Sequence, residues 1–168
     1  RLGKVQSLLY RLMKLYTEVR EKKQALRDIL PTDEYRNISF SDLKKLIALL
    51  QSLNGNTLDE LLVDIFGKYK ASSDKAYKFI VERILDIDEI SYEGVLKYFL
   101  HSLYDSYDEE VETKQIVGEI LNLRIEEVLC WFHYVNRDEG KEIYYHTFHS
   151  TKGLEYENVI IILGKDFG

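Results

Sequence analysis

The sequence predicts a mainly α-helical protein: a helical bundle over residues 1–136, then a short two-stranded piece of an α/β domain over residues 137–168. Three observations support this prediction. The 168 residues include one proline, Pro31, and nine glycines, so few positions interrupt a helix. Apolar residues in the first part recur every three or four positions, as in amphipathic helices. After Gly140 this spacing gives way to two short runs rich in β-branched and aromatic residues.

The first segment predicts one long helix that ends at Pro31. Its apolar seam is interrupted at Lys23, and a helix packed in a bundle is favoured over a free coiled-coil dimer. Residues 1–30 hold eight basic and three acidic side chains, which suit a solvated helix face better than a phosphate-binding surface. The seam consists of Leu2, Val5, Leu9, Leu12, Tyr16, Val19, Leu26 and Leu30.

Four further helices are predicted from residues that cap helix N-termini. Ser41 begins one that ends at Asn54-Gly55, and Thr57-Leu58-Asp59-Glu60 is a capping box for the next. Ser72-Ser73-Asp74 and Ser91 begin the other two. The predicted inward faces are Leu43, Leu46, Ile47, Leu50 and Leu53; Leu58, Leu61, Leu62, Ile65, Phe66 and Tyr69; Tyr77, Ile80, Val81, Ile84 and Ile87; and Val95, Leu96, Phe99 and Leu103.

The acidic stretch Asp105–Glu112 is interpreted as a loop or frayed helix end. Helix is predicted to resume near Lys114 and to reach Val135, with a break at Leu123-Arg124-Ile125. A polar linker follows at residues 136–140.

Most of the thirteen tyrosines lie on apolar stripes of the predicted helices. A half-buried core role is therefore favoured for them over base stacking.

The two predicted strands cover residues 143–148 and 159–163. The second is a continuous apolar run, which is typical of a strand buried on both faces of a parallel sheet. Two strands cannot form an independent α/β domain, because their faces and edges would remain uncovered. We therefore expect this sequence to be a piece of a longer protein.

Composition excludes several classes of protein. With one cysteine, Cys130, the chain can form neither an internal disulfide nor a cysteine-based zinc site, which suits a reducing, cytoplasmic location. Cys130, next to Trp131, is assigned to the core in preference to a reactive role. No apolar run approaches the roughly 20 residues of a membrane span, so no membrane partner is expected. The net charge of -6 argues against general binding of polyanions.

Between the two strands lies a polar cluster that suits a phosphodiester or a nucleotide. Loops after buried strands of α/β proteins commonly bind ligands, and here hydrogen-bond donors and one cation lie near one carboxylate. His146 and His149 lack the spacing of a metal site, and adjacent His149 and Ser150 do not form a hydrolytic pair. We therefore assign no metal site and no catalytic residue. The cluster consists of Thr147, His149, Ser150, Lys152, Gly153 and Glu155.

The stretch HTFHSTKGLEYENVIII, residues 146–162, resembles motif V of the UvrD/Rep-type superfamily 1 DNA helicases. In those proteins a strand ends in Thr-x-His and is followed by small residues, Lys-Gly-Leu-Glu, an aromatic residue and an apolar strand. The matching positions are Thr147, His149, Ser150, Lys152, Gly153, Leu154, Glu155, Tyr156 and Val159.

This resemblance implies a fold for both parts of the chain. Residues 1–136 would be a helical insertion like the family's domain 2B, and residues 137–168 a truncated start of the second, RecA-like motor domain, 2A. The parent protein would be an ATP-dependent DNA helicase of the cytoplasm, acting in DNA repair with ATP and Mg²⁺. It would move along single-stranded DNA and unwind duplex.

The resemblance also implies roles for single residues. Thr147, His149, Ser150 and Lys152 would bind DNA, whereas Gly153 and Glu155 would bind the nucleotide, with Glu155 on the ribose. The helical part could also bind a protein partner.

The chain contains no G-x-x-x-x-G-K-[ST] phosphate loop, so alone it should be catalytically inactive and bind no cofactor. Two alternatives remain: a helical protein-interaction module without motor activity, and a small nucleotide-binding hydrolase.

Overall fold

The structure, a computed structural model, describes residues 2–21, 23–104 and 110–136. Throughout these ranges the regular structure is helical, which confirms the predicted helical bundle. The two predicted strands, at residues 143–148 and 159–163, lie outside the described residues.

The described helices form one compact unit that ends at Asn136. The assignment of residues 137–168 to a second domain concerns residues outside the described ranges and stays a prediction. The helices are α1 (Leu2–Lys14), α2 (Lys23–Ile29), α3 (Thr32–Asn37), α4 (Phe40–Gln51), α5 (Leu58–Ala71), α6 (Lys75–Leu85), α7 (Tyr92–Tyr104), α8 (Glu110–Leu121) and α9 (Ile125–Val135), with a π-helical turn at Leu15–Val19.

Helix α1 lies at the centre of the unit and packs against α6, α7 and α9. A helix that is covered on several sides needs apolar residues around most of its circumference. The buried side chains therefore extend beyond the predicted seam. They are Val5, Leu8, Leu9, Leu12 and Met13.

The prediction of one regular helix up to Pro31 is wrong in detail, because the π-helical turn Leu15–Val19 interrupts it. The first and last residues of this turn, Leu15 and Val19, are both buried. Thr17 supports this turn by donating from its hydroxyl to the carbonyl of Met13 at 2.8 Å. The last helical residue before Pro31 is Ile29, as a proline stop requires.

Three of the four predicted N-caps are confirmed. The Thr57 hydroxyl accepts from the Glu60 N–H, Asp74 accepts from the N–H groups of Ala76 and Tyr77, and the Ser91 hydroxyl accepts from the Gly94 N–H. These bonds satisfy N–H groups that have no partner within the helix.

The fourth predicted cap, Ser41, is wrong. Helix α4 begins at Phe40, and Ser39 is its N-cap, with extended backbone and a hydroxyl that accepts from the Asp42 N–H at 3.1 Å. Ser41 lies within the first helical turn. Two serines so close together offer the same cap chemistry, and the backbone conformation decides between them.

The residues predicted to face inward on α4 to α7 are all buried or packed against the core. The prediction of a loop over Asp105–Glu112 is partly wrong, because α8 begins at Glu110. Thr113 and Val117 are buried and hold this helix on the unit, and acidic residues in a first turn interact favourably with the helix dipole. Residues 105–109 lie outside the described ranges. The predicted break before α9 is confirmed at residues 122–124.

Cys130 was assigned to the core, but it is exposed on α9 and the assignment is wrong. Its neighbour Trp131 is half-buried against the core. His101 on α7 and His133 on α9 are exposed.

Two glycines provide a matched test of the packing. A Cβ at Gly94 would lie 1.8 Å from the carbonyl oxygen of Glu89, whereas a Cβ at Gly67 on α5 would meet nothing within 4 Å. Because a backbone atom blocks the first site, Gly94→Ala should lower the unfolding free energy by about 1–3 kcal/mol. Gly67→Ala should raise it by up to about 1 kcal/mol. Urea unfolding of both variants measures this, and equal effects would contradict the packing at Gly94.

Candidate functional site

The six residues predicted to bind DNA or nucleotide lie outside the described residues, so their roles stay predictions. They are Thr147, His149, Ser150, Lys152, Gly153 and Glu155. The described part of the chain that leads to them is the end of α9. The other candidate binding surfaces of the described residues lie on the helical unit.

The side chain of Arg11, on α1, forms hydrogen bonds within the helical unit. Its guanidinium donates to the Ser7 hydroxyl at 3.0 Å and to the carbonyl of Leu85 at 2.9 Å. Leu85 is the last residue of α6, where carbonyl groups lack partners within the helix and carry partial negative charge. Arg11 thus joins α1 to the end of α6, and the predicted solvated position is wrong for this residue.

Other basic residues of the first segment also have internal partners. The Arg20 guanidinium lies 4.6 Å from the centre of the Tyr16 ring, and that of Arg27 lies 5.5 Å from the Tyr35 ring. Lys14 pairs with Glu18 at 3.8 Å. Cations that stack on aromatic faces or pair with acids are less available to a phosphate backbone.

The N-termini of α5 and α9 meet at one corner of the unit. The Leu58 N–H donates to the Leu123 carbonyl, and the Ile125 N–H donates to the Asn56 carbonyl, both at 2.9 Å. These two bonds form an isolated antiparallel bridge between Thr57 and Arg124. The start of α9 is therefore fixed to the start of α5, although 67 positions separate the bridged residues.

Carboxylates occupy the places at this corner where an anion could bind. Glu60 accepts from the Asn56 N–H at 2.8 Å, and Glu127 accepts from the Arg124 N–H at 2.9 Å and from its guanidinium at 3.0 Å. The Arg124 contact lowers the pKa of the Glu127 carboxyl. A helix N-terminus attracts phosphate through its free N–H groups and through the positive end of the helix dipole. At this corner the carboxylates already interact with both. The corner is structural and does not suit a phosphate group.

Tyrosine hydroxyls join α5 to its neighbours. Tyr69 donates to Glu82 on α6, Tyr92 of α7 donates to Asp59, and the buried Tyr77 donates to the carbonyl of Ile65 at 3.1 Å. The hydrogen bonds to Glu82 and Asp59 raise the pKa values of Tyr69 and Tyr92 to about 12, and burial raises the pKa of Tyr77. These tyrosines have the half-buried or buried core role that the sequence predicts.

A shallow groove of about 460 Å³ runs along the outer face of α5. Its apolar part includes Val63, which is 54% exposed, and beside it Lys68 forms an ion pair with Asp64. All its lining residues belong to one helix, so no polar groups converge from a second element as in an enzyme pocket. No group of metal-ligating side chains occurs among the described residues.

The end of α9 is fastened to α1. The Tyr10 hydroxyl donates to Asn136 Oδ1 at 2.9 Å, and the Tyr10 ring lies 5.1 Å from that of Phe132. Sequence reasoning missed both residues, since Tyr10 falls outside the predicted seam and Asn136 was assigned to a linker. The sequence signal that could have identified Asn136 is its place directly after a segment with helical periodicity, because asparagine is common at helix C-termini.

None of the helices in the described ranges is long and apolar enough to cross a membrane.

No family model matches the chain, and no solved structure gives a significant match. Among curated proteins, the chain is similar to the Gabija protein GajB of Bacillus cereus strain HuB5-5, with 29% identity over 171 residues. The alignment covers 100% of this chain and 25% of GajB, so the chain spans about a quarter of the length of that relative. This similarity suggests a helicase-related segment.

The tyrosine–carboxylate contacts predict a loss of stability in alkali. The folded-state pKa of Tyr69 and Tyr92, about 12, is above the ordinary value of 10.0, so their contribution is complete below pH 10 and is lost between about pH 10 and pH 12. The double variant Tyr69→Phe/Tyr92→Phe should show a flatter decline than the parent chain in urea unfolding across this range. Tyr134→Phe, at a position that is 47% exposed, is the control. Parallel pH profiles for the parent chain and the double variant would contradict the assignment.

Proposed function

We propose that this chain belongs to an ATP-dependent DNA helicase, in which it forms the helical insertion domain and the start of the second motor domain. The observation that carries the proposal is the pattern at residues 146–162, where nine positions match the helicase motif. Two further observations support it. A helical unit ends at Asn136, shortly before the motif, and the whole chain aligns with a quarter of GajB. The protein would act in DNA repair in the cytoplasm.

The proposed DNA contacts suit the chemistry of a phosphate backbone. Thr147 and Ser150 offer hydroxyl donors, His149 an imidazole N–H and Lys152 an ammonium group. Such groups bind phosphate oxygens without reading bases, so binding to single-stranded DNA should be independent of sequence and weaken with salt.

The proposed nucleotide contacts follow a few residues later. The Glu155 carboxylate can accept from the hydroxyls of the ATP ribose, and Gly153 has no side chain to keep the backbone from the nucleotide. The triphosphate and Mg²⁺ need a phosphate loop that this chain does not contain. The chain alone should therefore not hydrolyse ATP.

One short loop would thus bind both ligands. The first proposed DNA contact, Thr147, and the proposed ribose contact, Glu155, lie within nine residues of each other in the sequence. A shift of the loop on nucleotide binding would change its contacts with DNA, and linkage requires the reverse effect to be equally large in free energy. This coupling is what a translocating motor requires.

A protein-interaction module is the second candidate, and specific observations favour it. Phe40 is 69% exposed at the start of α4, and Val63 is 54% exposed in the groove along α5. Large apolar side chains in such positions are common in protein interfaces. In a helicase these surfaces would bind a protein partner of the helical domain. A longer protein that shows no ATPase activity stimulated by single-stranded DNA would favour the module alone.

His149→Ala in the protein that contains this chain should weaken the stimulation of its ATPase by single-stranded DNA. Loss of one phosphate contact should raise the half-saturating DNA concentration by about 5–30-fold, because a charge-assisted hydrogen bond contributes about 1–2 kcal/mol. ATPase titrations with oligonucleotide measure this, with His133→Ala, at an exposed position on α9, as the control. Unchanged stimulation would remove His149 from the DNA path.

Glu155→Gln should affect nucleotide binding more than DNA binding. The neutral amide is a weaker acceptor for ribose hydroxyls, so the KM for ATP should rise by about 3–10-fold. Glu126→Gln, at an exposed position on α9, is the control, and its KM should not change. Steady-state kinetics and DNA-binding titrations separate the two effects. A larger change in DNA affinity than in the KM for ATP would reverse the assignment.

A further inference from the structure

We infer that the groove along the outer face of α5 is a contact surface between two copies of this chain. In this contact the two α5 helices lie antiparallel, and Val63 of each copy packs over Gly67 of the other. A second copy is thus the occupant of the groove that the second candidate function offers to a protein. The contact requires no helicase activity.

The shape of the groove suits a helix. Side chains four positions apart form ridges along a helix, and a ridge of a second helix fits into the groove between two of them. The two ridges here consist of Val63, Gly67 and Ala71 and of Glu60, Asp64 and Lys68. The first ridge is apolar, so it supplies the surface that a partner helix would bury.

Gly67 leaves a depression in the apolar ridge. The residue is exposed, and a Cβ at this position would meet nothing within 4 Å, so the unit itself gains no packing from the glycine. Glycine also destabilises a helix interior relative to alanine. Beside the depression, the Val63 side chain is 54% exposed. One surface therefore carries both an apolar projection and a space of similar size.

The charges of α5 favour an antiparallel copy over a nucleic acid. Its N-terminal half carries Asp59, Glu60 and Asp64, and its C-terminal half carries Lys68 and Lys70. The carboxylates would repel a phosphate backbone. A second α5 in antiparallel orientation places its basic half beside this acidic half, and twofold symmetry repeats the match at the other end.

One register of the two helices satisfies shape and charge together. Facing positions in a twofold antiparallel pair are equally distant from the symmetry axis. Val63 and Gly67 are centred on position 65. Glu60 and Lys70 are centred on the same position. An axis at that level therefore places Val63 over Gly67 of the other copy and also brings Glu60 to Lys70. Glu60 uses Oε2 for the Asn56 N–H, so its Oε1 is the atom that the ammonium group would reach.

The contact should be weak, because one helix of each copy supplies it. Helix α5 has 14 residues and is therefore about 21 Å long. Two such helices bury less than the roughly 1,200–2,000 Å² of a stable protein interface. We expect a dissociation constant on the order of 10–100 µM, so the dimer should form only in concentrated solution.

Gly118 on α8 provides a matched control for Gly67. A Cβ at Gly118 would also meet nothing within 4 Å. The residues one turn before and after it, Lys114 and Asn122, are polar, so Gly118 has no apolar ridge around it. Alanine at either position should stabilise its helix, and only alanine at position 67 would occupy the space for Val63 of the other copy.

The first experiment is sedimentation equilibrium of this chain and of both glycine variants at about 5–300 µM. The parent chain should show a monomer–dimer equilibrium. Gly67→Ala should raise the dissociation constant about 3–10-fold, the effect of one extra methyl group in a packed contact, and Gly118→Ala should leave it unchanged. Because both variants should be at least as stable as the parent chain, loss of folding cannot account for the difference.

A monomer at every concentration would overturn the contact and leave a helix of a different protein as the occupant of the groove. Equal dissociation constants for Gly67→Ala and Gly118→Ala would also overturn it, because any dimer would then form through another surface.

The second experiment tests the register by reversing charges. Lys70→Glu places two carboxylates opposite each other at both ends of the contact and should raise the dissociation constant about 3–10-fold. Lys4→Glu, at an exposed position on α1, makes the same change in net charge and is the control. The double variant Glu60→Lys/Lys70→Glu restores opposite charges and should recover most of the affinity. Equal effects of Lys70→Glu and Lys4→Glu, or no recovery in the double variant, would overturn the register.

The contact and the proposed function fail separately. A monomeric chain would leave the helicase proposal unaffected, because that proposal rests on residues 146–162. A longer protein without ATPase activity stimulated by single-stranded DNA would end the helicase proposal, and the association of α5 would stand on the sedimentation results alone.

Discussion

The burial of the first helix is the interaction on which the rest of the helical unit depends. Val5, Leu8 and Leu12 are almost completely removed from solvent by α6, α7 and α9, which follow α1 by about 60 residues or more. No nearby segment can replace these helices as cover. The unit should therefore be stable only once its last helix has formed, and it should fold as one cooperative body.

Tyrosine meets the next requirement, which is to join neighbouring helices through a polar contact. Its ring can be buried while its hydroxyl reaches a polar group on a neighbouring helix. Tyr69 and Tyr92 reach carboxylates, and Tyr77 reaches a backbone carbonyl, so α5 is joined to α6 by two hydroxyls and to α7 by one. An aliphatic residue at these positions would supply burial without direction. This role accounts for several of the thirteen tyrosines without any ligand.

Local chemistry explains which parts of the fold could be predicted from sequence. Thr57 was assigned correctly because a cap needs only a hydroxyl and a nearby helical pattern. Ser41 was not, because Ser39 offers the same group and the surrounding backbone selected it. The start of α8 at Glu110 and the exposure of Cys130 depend on which face of each helix docks on the unit. A pattern along one segment does not contain that information, and neither does it predict a π-helical turn.

The same distinction, between information within one segment and contacts made only in the fold, applies to the candidate site and to the basic residues of the first segment. The motif at residues 146–162 is continuous in sequence, so its residues could be recognised together, whereas Tyr10 and Asn136 are 126 positions apart and only the fold joins them. The basic first segment shows the converse, since a cluster of cations in sequence need not be a binding surface. Arg11 donates to the carbonyl of the last residue of α6, and Arg20 donates to the carbonyl of Leu53, which follows the end of α4. The chain as a whole is acidic. Cations held in this way stabilise the unit and contribute little to the release of counterions that drives DNA binding. In the proposed helicase, the DNA contacts of this chain are therefore expected from the motif loop and not from the basic first segment.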